Sequence, residues 1–201
     1  YVQRSGTEVG SYNLATGTHS SAGNLNNSSL TYRTSTSPQN LTFFNGSLYY
    51  VAPATDDLIR VDISQSTTIA DAWKEADING NNAFASVGDI AVDGDGMLYL
   101  SSGSVLAKFN MKTLSGYSVM DSNLDSVYDA LFSAGGTSLY GITENAPRDI
   151  VSVDMASAVV TNVSQTSPAR NFVDAASAQQ RVSVTPAGGI YYASATGKKS
   201  I

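Results

Sequence analysis

The sequence predicts an all-β protein built from repeated four-stranded antiparallel sheets, because two landmarks recur along it with one period. The first landmark is a turn rich in Gly, Asp or Asn, followed by a short apolar run with a tyrosine. Its tyrosines are Tyr49, Tyr99, Tyr140 and Tyr191. The second landmark is a triplet in which Asn or Asp follows an aromatic residue or Val and precedes Leu, Ile or Met. Its polar members are Asn13, Asp62, Asn110 and Asp154.

The period of the landmarks predicts the architecture. Successive tyrosines are 50, 41 and 51 residues apart, and successive Asn or Asp residues are 49, 48 and 44 apart. Repeats of roughly 40–50 residues made of short strands are typical of β-propeller blades, each of which is a four-stranded antiparallel sheet. A single such sheet cannot bury both faces alone, so neighbouring sheets are expected to stack.

Each repeat divides into strands a to d. Strand a is predicted at Leu41–Phe44, Ile90–Val92, Ala130–Phe132 and Val182–Val184. Strand b carries the tyrosine, strand c carries the Asn or Asp, and strand d has weaker signals, such as Val159–Val163. The segment Ile69–Ile78, which contains Trp73, fits a helical turn as well as strand d.

The chain is therefore expected to be one β-propeller-like array of about four to five repeats. The repeats span approximately 1–39, 40–88, 89–128, 129–180 and, in part, 181–201. The chain is expected to begin inside a strand b and to stop just after a further strand b, which suggests a fragment of a longer propeller or an imperfectly repeated closure.

The turn, the tyrosine and the triplet resemble the blades of bacterial propeller proteins of the YVTN, NHL and SMP-30 type. The resemblance extends over nearly the whole chain and implies a fold, and by itself no activity. The SMP-30-like enzymes hold a metal in the central channel, with a Glu, an Asn and an Asp among its ligands, so the resemblance to them implies a metal site in this chain.

Composition excludes several classes of function. Of the 201 residues, 42% are hydrophobic and 14% are charged, and the formal net charge is −6, which argues against binding to nucleic acid. There is no cysteine, so disulfides and thiol catalysis are excluded. No stretch approaches 18 consecutive apolar residues, so no membrane-spanning helix is expected. Extracellular, periplasmic or cell-surface localisation is compatible with this composition.

The residues that open strand a give a candidate metal site. By position in the repeat they are Leu41, Asp89, Asp129 and Arg181. Because strand a lines the channel of a propeller, Asp89 and Asp129 are candidate ligands of a cation such as calcium. No Glu stands at these positions, which argues against lactonase chemistry of the SMP-30 kind. The alternative is that both carboxylates cap turns or face solvent.

The loops on one face give candidate ligand-binding residues, since loops on a rigid scaffold often carry function. The charged members of the predicted b–c loops and of the loop before the last repeat are Asp56, Asp57, Glu144, Arg148, Arg170 and Asp174. A role as simple connectors is the alternative.

No motif of a known catalytic site is present. The leading hypothesis is a non-enzymatic extracellular or cell-surface module that acts as a scaffold or binds a glycan, a peptide or a surface partner. The alternatives are a metal-dependent SMP-30-like hydrolase and a structural subunit of a larger assembly. No cofactor is predicted apart from the calcium ion, and the oligomeric state stays open.

Overall fold

A computed structural model gives the structure of this chain. It describes residues 2–3, 8–13, 15–24, 40–52, 55–62, 71–78, 87–124, 127–133, 136–144, 148–165, 191–194 and 197–200. Within these residues the secondary structure consists of strands and turns. No helix of the described part is long and apolar enough to cross a membrane.

The described strands form five antiparallel sheets, in each of which strands adjacent in sequence pair. The N-terminal sheet contains β1 (Val2–Gln3), β2 (Glu8–Asn13) and β3 (Thr18–Asn24). Sheet I contains β4 (Thr42–Phe44), β5 (Ser47–Ala52), β6 (Asp57–Asp62) and β7 (Asp71–Asp77). Sheet II contains β8 (Asp89–Val92), β9 (Met97–Ser102), β10 (Val105–Asn110) and β11 (Ser115–Asp121). Sheet III contains β12 (Tyr128–Ser133), β13 (Ser138–Thr143), β14 (Asp149–Asp154) and β15 (Val160–Gln165). The C-terminal pair contains β16 (Tyr191–Ser194) and β17 (Gly197–Ser200).

Sheets I, II and III confirm the predicted propeller-like fold. Each is a four-stranded antiparallel meander in chain order, and their first strands, β4, β8 and β12, pack against one another in succession. The ambiguous segment around Trp73 is a strand, β7, which pairs with β6. The packing of the Trp73 side chain lies outside the described residues, as does the predicted strand Val182–Val184.

Sheet II shows how the sequence makes this stack. Successive side chains of a strand point to opposite faces. Ile90, Leu98, Leu100 and Phe109 therefore join one buried cluster with residues of sheet I, such as Val51. Ala91, Tyr99 and Leu106 point the other way and join a second cluster with Leu131, Leu139 and other residues of sheet III. Because both faces are buried, the strands read as almost continuous apolar runs.

In three of the four triplets, the Asn or Asp closes the turn between two strands, whereas the side chain of Asp62 lies outside the described residues. The Oδ1 atom of Asn110 accepts hydrogen bonds from the backbone N–H groups of Lys112 and Thr113, at 2.9 and 3.1 Å. Asn13 and Asp154 make the same pair of bonds to the residues two and three positions on. A short polar side chain that binds its own backbone in this way stabilises a turn. The second landmark of the sequence is thus a structural one.

The same turn needs a left-handed residue four positions after the Asn or Asp. That residue is Gly17 in the N-terminal sheet (φ 70°), Leu114 in sheet II (φ 52°) and Ala158 in sheet III (φ 61°). Glycine adopts this conformation at no steric cost, whereas Leu and Ala do not. The turns of sheets II and III therefore hold backbone strain that the first turn avoids.

The register of strand a corrects one alignment made from the sequence. Tyr49 pairs with Thr42, and Tyr99 pairs with Ala91, which places Asn40 and not Leu41 in phase with Asp89. The alignment was wrong by one residue because the a–b turn of sheet I is one residue shorter than that of sheet II.

In sheet III the residue in phase with Asp89 is Ala130, because Tyr140 pairs with Phe132. Asp129 falls where the register shifts between Tyr128 and Ala130. The irregularity places an extra residue in β12, which sequence spacing does not reveal. Arg181, the fourth residue of the predicted set, lies outside the described residues.

Candidate functional site

Asp89 lies at the contact between sheets II and III, which we call interface II–III. It is completely buried. Its Oδ1 atom accepts a hydrogen bond from the backbone N–H of Ile90 at 2.8 Å, and its Oδ2 atom accepts one from the N–H of Leu131 in β12 at 2.6 Å. The carboxylate therefore connects two neighbouring sheets.

Two further contacts tighten interface II–III. The Oγ atom of Ser101 accepts a hydrogen bond from the backbone N–H of Tyr128 at 2.9 Å. An ideal Cβ built on Gly88 would lie 2.5 Å from the carbonyl oxygen of Tyr128 and from a methyl group of Val127. Only a residue without a side chain fits this approach of two backbones.

Asp129 forms an ion pair with Arg148, whose guanidinium donates a hydrogen bond to Asp129 Oδ2. Arg148 also donates to the carbonyl oxygen of Thr143 at 3.3 Å. Both charged side chains are largely buried, with 13% and 22% of their surface exposed for Arg148 and Asp129. A hydrogen bond between a guanidinium and a carboxylate is charge-assisted and therefore stronger than one between neutral groups.

These contacts supply no observation in favour of a cation. The oxygens of Asp89 accept backbone hydrogen bonds, and Asp129 faces a cationic partner. In the part of the chain that the structure describes, no three His, Cys, Asp or Glu side chains come together as a potential metal site. The sequence-based assignment of Asp89 and Asp129 as metal ligands stays a prediction.

The predicted loop residues differ in accessibility. Asp56 and Asp57 are buried, at 0% and 1% exposed, and the carbonyl oxygen of Asp56 accepts a hydrogen bond from the N–H of Ile78. Glu144 is exposed, and its backbone N–H bonds to the carbonyl oxygen of Val127. Arg170 and Asp174 lie outside the described residues. The structure thus brings Arg148 and Asp129 together and buries Asp56 and Asp57.

An open cleft lies between sheets I and II, at the end of the sheets that carries the a–b and c–d turns. Its volume is about 620 Å³. The b–c loops lie at the opposite end of each sheet. The cleft is lined by Phe44, Asn45, Tyr49, Arg60, Glu75, Asp93, Gly94, Met111, Lys112 and Leu114. This volume is within the range of about 300–1,000 Å³ that small-ligand sites occupy.

Sheet I supplies one wall of the cleft. The Nε atom of Arg60 donates a hydrogen bond to Ser47 Oγ at 3.0 Å, and its NH1 atom lies 3.9 Å from Oε1 of Glu75. Tyr49 is directly opposite Arg60 in the register of β5 and β6. Burial raises the pKa of Tyr49, and the positive charge of Arg60 offsets part of that shift. This wall is therefore polar. Hydrogen bonds fix its side chains, and the neutral phenol of Tyr49 lies beside them.

The a–b turn of sheet II supplies part of the other wall. Asp93 Oδ1 accepts hydrogen bonds from the N–H groups of Asp95 and Met97, both at 2.9 Å. Its Oδ2 atom accepts a third from the hydroxyl of Tyr99 at 3.1 Å. Burial of the ring, followed by the charge of Asp93, raises the pKa of Tyr99 well above its usual range, which keeps this phenol protonated. Asp93 is thereby held in a single orientation.

The rim of the cleft is formed by side chains of two tight turns, among them Lys112 and Asn45. Lys112 is exposed, and its aliphatic stem runs past Gly96, where an ideal Cβ would lie 3.1 Å from Lys112 Cε and 2.9 Å from Phe44 Cζ. On the facing sheet, Asn45 and Gly46 both have positive φ, 47° and 84°. This is the conformation of a tight type I′ hairpin turn, for which Asn-Gly is the preferred sequence.

Sequence reasoning did not find this cleft. Asp93 belongs to a Gly/Asp turn that the sequence shows, and its side chain accepts hydrogen bonds from Asp95 and Met97 within that turn. Sequence reasoning did not single out Arg60, Glu75 or Lys112, because these residues stand in different strands and turns of two repeats. Only the packing of sheet I on sheet II brings them together.

Comparison with known proteins adds little to this geometry. Among solved structures, the chain is similar to one chain of the crystal structure of a nidogen/laminin complex, with 13% sequence identity and a TM-score of 0.48. The similarity covers 63% of this chain and 47% of that one, so this chain spans less than half of its length. No protein-family model matches the sequence, and no curated protein matches it. No ligand or partner is carried over from this likeness.

Proposed function

We propose that this chain is a non-enzymatic binding or scaffold module of an extracellular or cell-surface protein. One observation supports the proposal. Of the residues singled out from the sequence, Asp89 joins two sheets and Asp129 pairs with Arg148, whereas an open polar cleft lies between sheets I and II. A rigid stack of sheets that presents such a cleft is suited to recognition.

The proposal is tested with the purified chain, prepared without chelator. We expect saturable binding to a partner on a combined array of oligosaccharides and peptides, with no turnover of lactones or esters and no stoichiometric metal. Hydrolysis of a lactone, together with one bound metal ion per chain lost in Asp129→Ala, would instead support the metal-dependent hydrolase. Oligomers that survive dilution, without binding on the array, would support a structural subunit of an assembly.

A further inference from the structure

The polar groups of the cleft fall into three kinds. Glu75 and Asp93 are carboxylates, which only accept hydrogen bonds when ionised. Arg60 and Lys112 are cations, which only donate. Asn45 does both. The formal charges of the two anions and two cations cancel, although the chain as a whole carries −6.

This balance selects the chemistry of the ligand. A strongly anionic ligand would meet Glu75 and Asp93, and a strongly cationic one would meet Arg60 and Lys112, so neither gains a net attraction. A hydroxyl group both donates and accepts, and it can therefore satisfy each kind of group in turn. Hydrogen bonds to charged groups are also the stronger ones.

The geometry of the cleft adds to this argument. Asp93 and Arg60 are already fixed by hydrogen bonds to Tyr99 and Ser47, at 3.1 and 3.0 Å. Pre-ordered polar groups lose little conformational entropy when a ligand binds. The half-buried ring of Phe44, at the edge of the same cleft, offers an apolar surface to the C–H groups of a ring-shaped ligand.

We propose that the cleft between sheets I and II binds a neutral carbohydrate, as a short oligosaccharide or as the end of a longer glycan. The inference rests on the proposed binding function and specifies its ligand class and location. Asn45 and Glu75 contact hydroxyl groups directly, and Lys112 closes over them from the rim.

The test uses an array of neutral and uronic-acid oligosaccharides, followed by calorimetric titration of the full chain with the best neutral glycan from the array. In Glu75→Gln we expect affinity to fall about tenfold or more, because a charge-assisted hydrogen bond is lost. In Asn45→Gly we expect a smaller loss of affinity for the glycan. Glycine keeps the positive φ of the turn, so this variant should fold.

Matched variants and melting curves separate binding from folding. Asn123→Gly makes the same chemical change at an exposed residue outside the cleft lining, and it should leave affinity unchanged. Each variant should melt within a few degrees of the wild type. Glu144→Gln reports on the b–c loop face, at the opposite end of the sheets.

Three results would overturn the inference in different ways. If neutral glycans bind but only Glu144→Gln weakens them, the ligand lies on the loop face, and the binding function survives without the cleft. If uronic-acid glycans bind and neutral ones do not, the charge argument is wrong. If the array gives no glycan while a peptide or protein partner is found, the carbohydrate assignment fails and the binding function stands.

Discussion

Interface I–II, between sheets I and II, and interface II–III join equivalent pairs of sheets in different ways. At interface I–II an apolar cluster contains Phe109, Leu98, Val51 and Leu58, and the turn end opens into the cleft. Interface II–III has an apolar cluster too, but hydrogen bonds from the backbone of β12 to Asp89 and Ser101 also cross it. One repeat thus carries inter-sheet hydrogen bonds on one face and borders an open cleft on the other.

A single position shows how this difference arises. Asn40, Asp89 and Ala130 are in phase in sheets I, II and III. Asn40 binds both the N–H and the carbonyl oxygen of Val51 in its own sheet, at 2.8 and 3.4 Å. A carboxylate cannot donate when ionised, so Asp89 accepts from two N–H groups instead, one of them in the next sheet. The amide thus bonds within its own sheet, whereas the carboxylate bonds both within its sheet and to the next one.

The largest expected effect is at the apolar interface I–II. Phe109 is one of the largest fully buried side chains, and Phe109→Ala should lower the free energy of unfolding by about 3–5 kcal/mol through lost burial and the cavity left behind. Urea denaturation measures it. Leu131→Ala at interface II–III should cost about 2–5 kcal/mol. A loss well below 1 kcal/mol in Phe109→Ala would mean that interface I–II is not a packed core.

The next effect tests the hydrogen bonds across interface II–III. Asp89→Ala leaves two N–H groups without their acceptor and should cost about 2–4 kcal/mol. Hydrogen exchange should accelerate at the amide of Leu131, in the neighbouring sheet. In the matched variant Asn40→Ala, it should accelerate at Val51, within the same sheet. The same exchange pattern in both variants would contradict the distinction drawn between the amide and the carboxylate.

Close approach of the backbones gives a smaller effect at the same interface. Gly88→Ala should destabilise the chain by about 1–3 kcal/mol, because the added methyl group meets the backbone of Tyr128. Gly94→Ala is the control, since nothing lies within 4 Å of its ideal Cβ. Thermal melting distinguishes the two variants. Equal melting temperatures would show that the backbones at interface II–III can move apart to accommodate the added methyl group.

The strained turns should respond in the opposite direction. Ala158→Gly in sheet III should raise the free energy of unfolding by about 0.5–1 kcal/mol, because glycine adopts positive φ without strain. Leu114→Gly, beside the cleft, should gain less, because the side chain that lines interface I–II is lost. Ala156 lies in the same turn but does not have a positive φ, so Ala156→Gly should destabilise the chain. Destabilisation by Ala158→Gly would refute the strain argument.

The smallest effect is a dependence on pH in the c–d turn of sheet III. Hydrogen bonds from Ser157 lower the pKa of Asp154 below its ordinary value. Because the folded-state pKa is depressed, this stabilisation is present above the unfolded-state pKa of about 4 and is lost as pH falls through the folded-state value. Asp154→Asn should keep the turn, as Asn110 does in sheet II, and remove that dependence. Nuclear magnetic resonance titration and unfolding at neutral and acid pH measure it, with Asn110→Asp as the converse variant.

Much of the architecture could be predicted from the sequence, because local chemistry fixes it. The Asn-Gly and Asp-Gly turns, the apolar runs and the triplets around Asn110 and Asp154 each specify their own hairpin, and their common period specifies the stack of sheets. The phase of strand a could be predicted only in part. The two-residue Asn-Gly turn of sheet I can be recognised in the sequence, whereas the register shift at Asp129 has no sequence signal.

The roles of Asp89 and of the polar residues of the cleft depend on tertiary packing. Asp89 could have faced a channel, but the packing of β12 on β8 places its carboxylate under the N–H of Leu131. Asn45, Glu75 and Lys112 come from different repeats or strands, and only the stacking of sheet I on sheet II makes them walls of one cleft. The sequence determined the sheets because their signals are local, whereas the interfaces and the cleft depend on contacts between residues far apart in the chain.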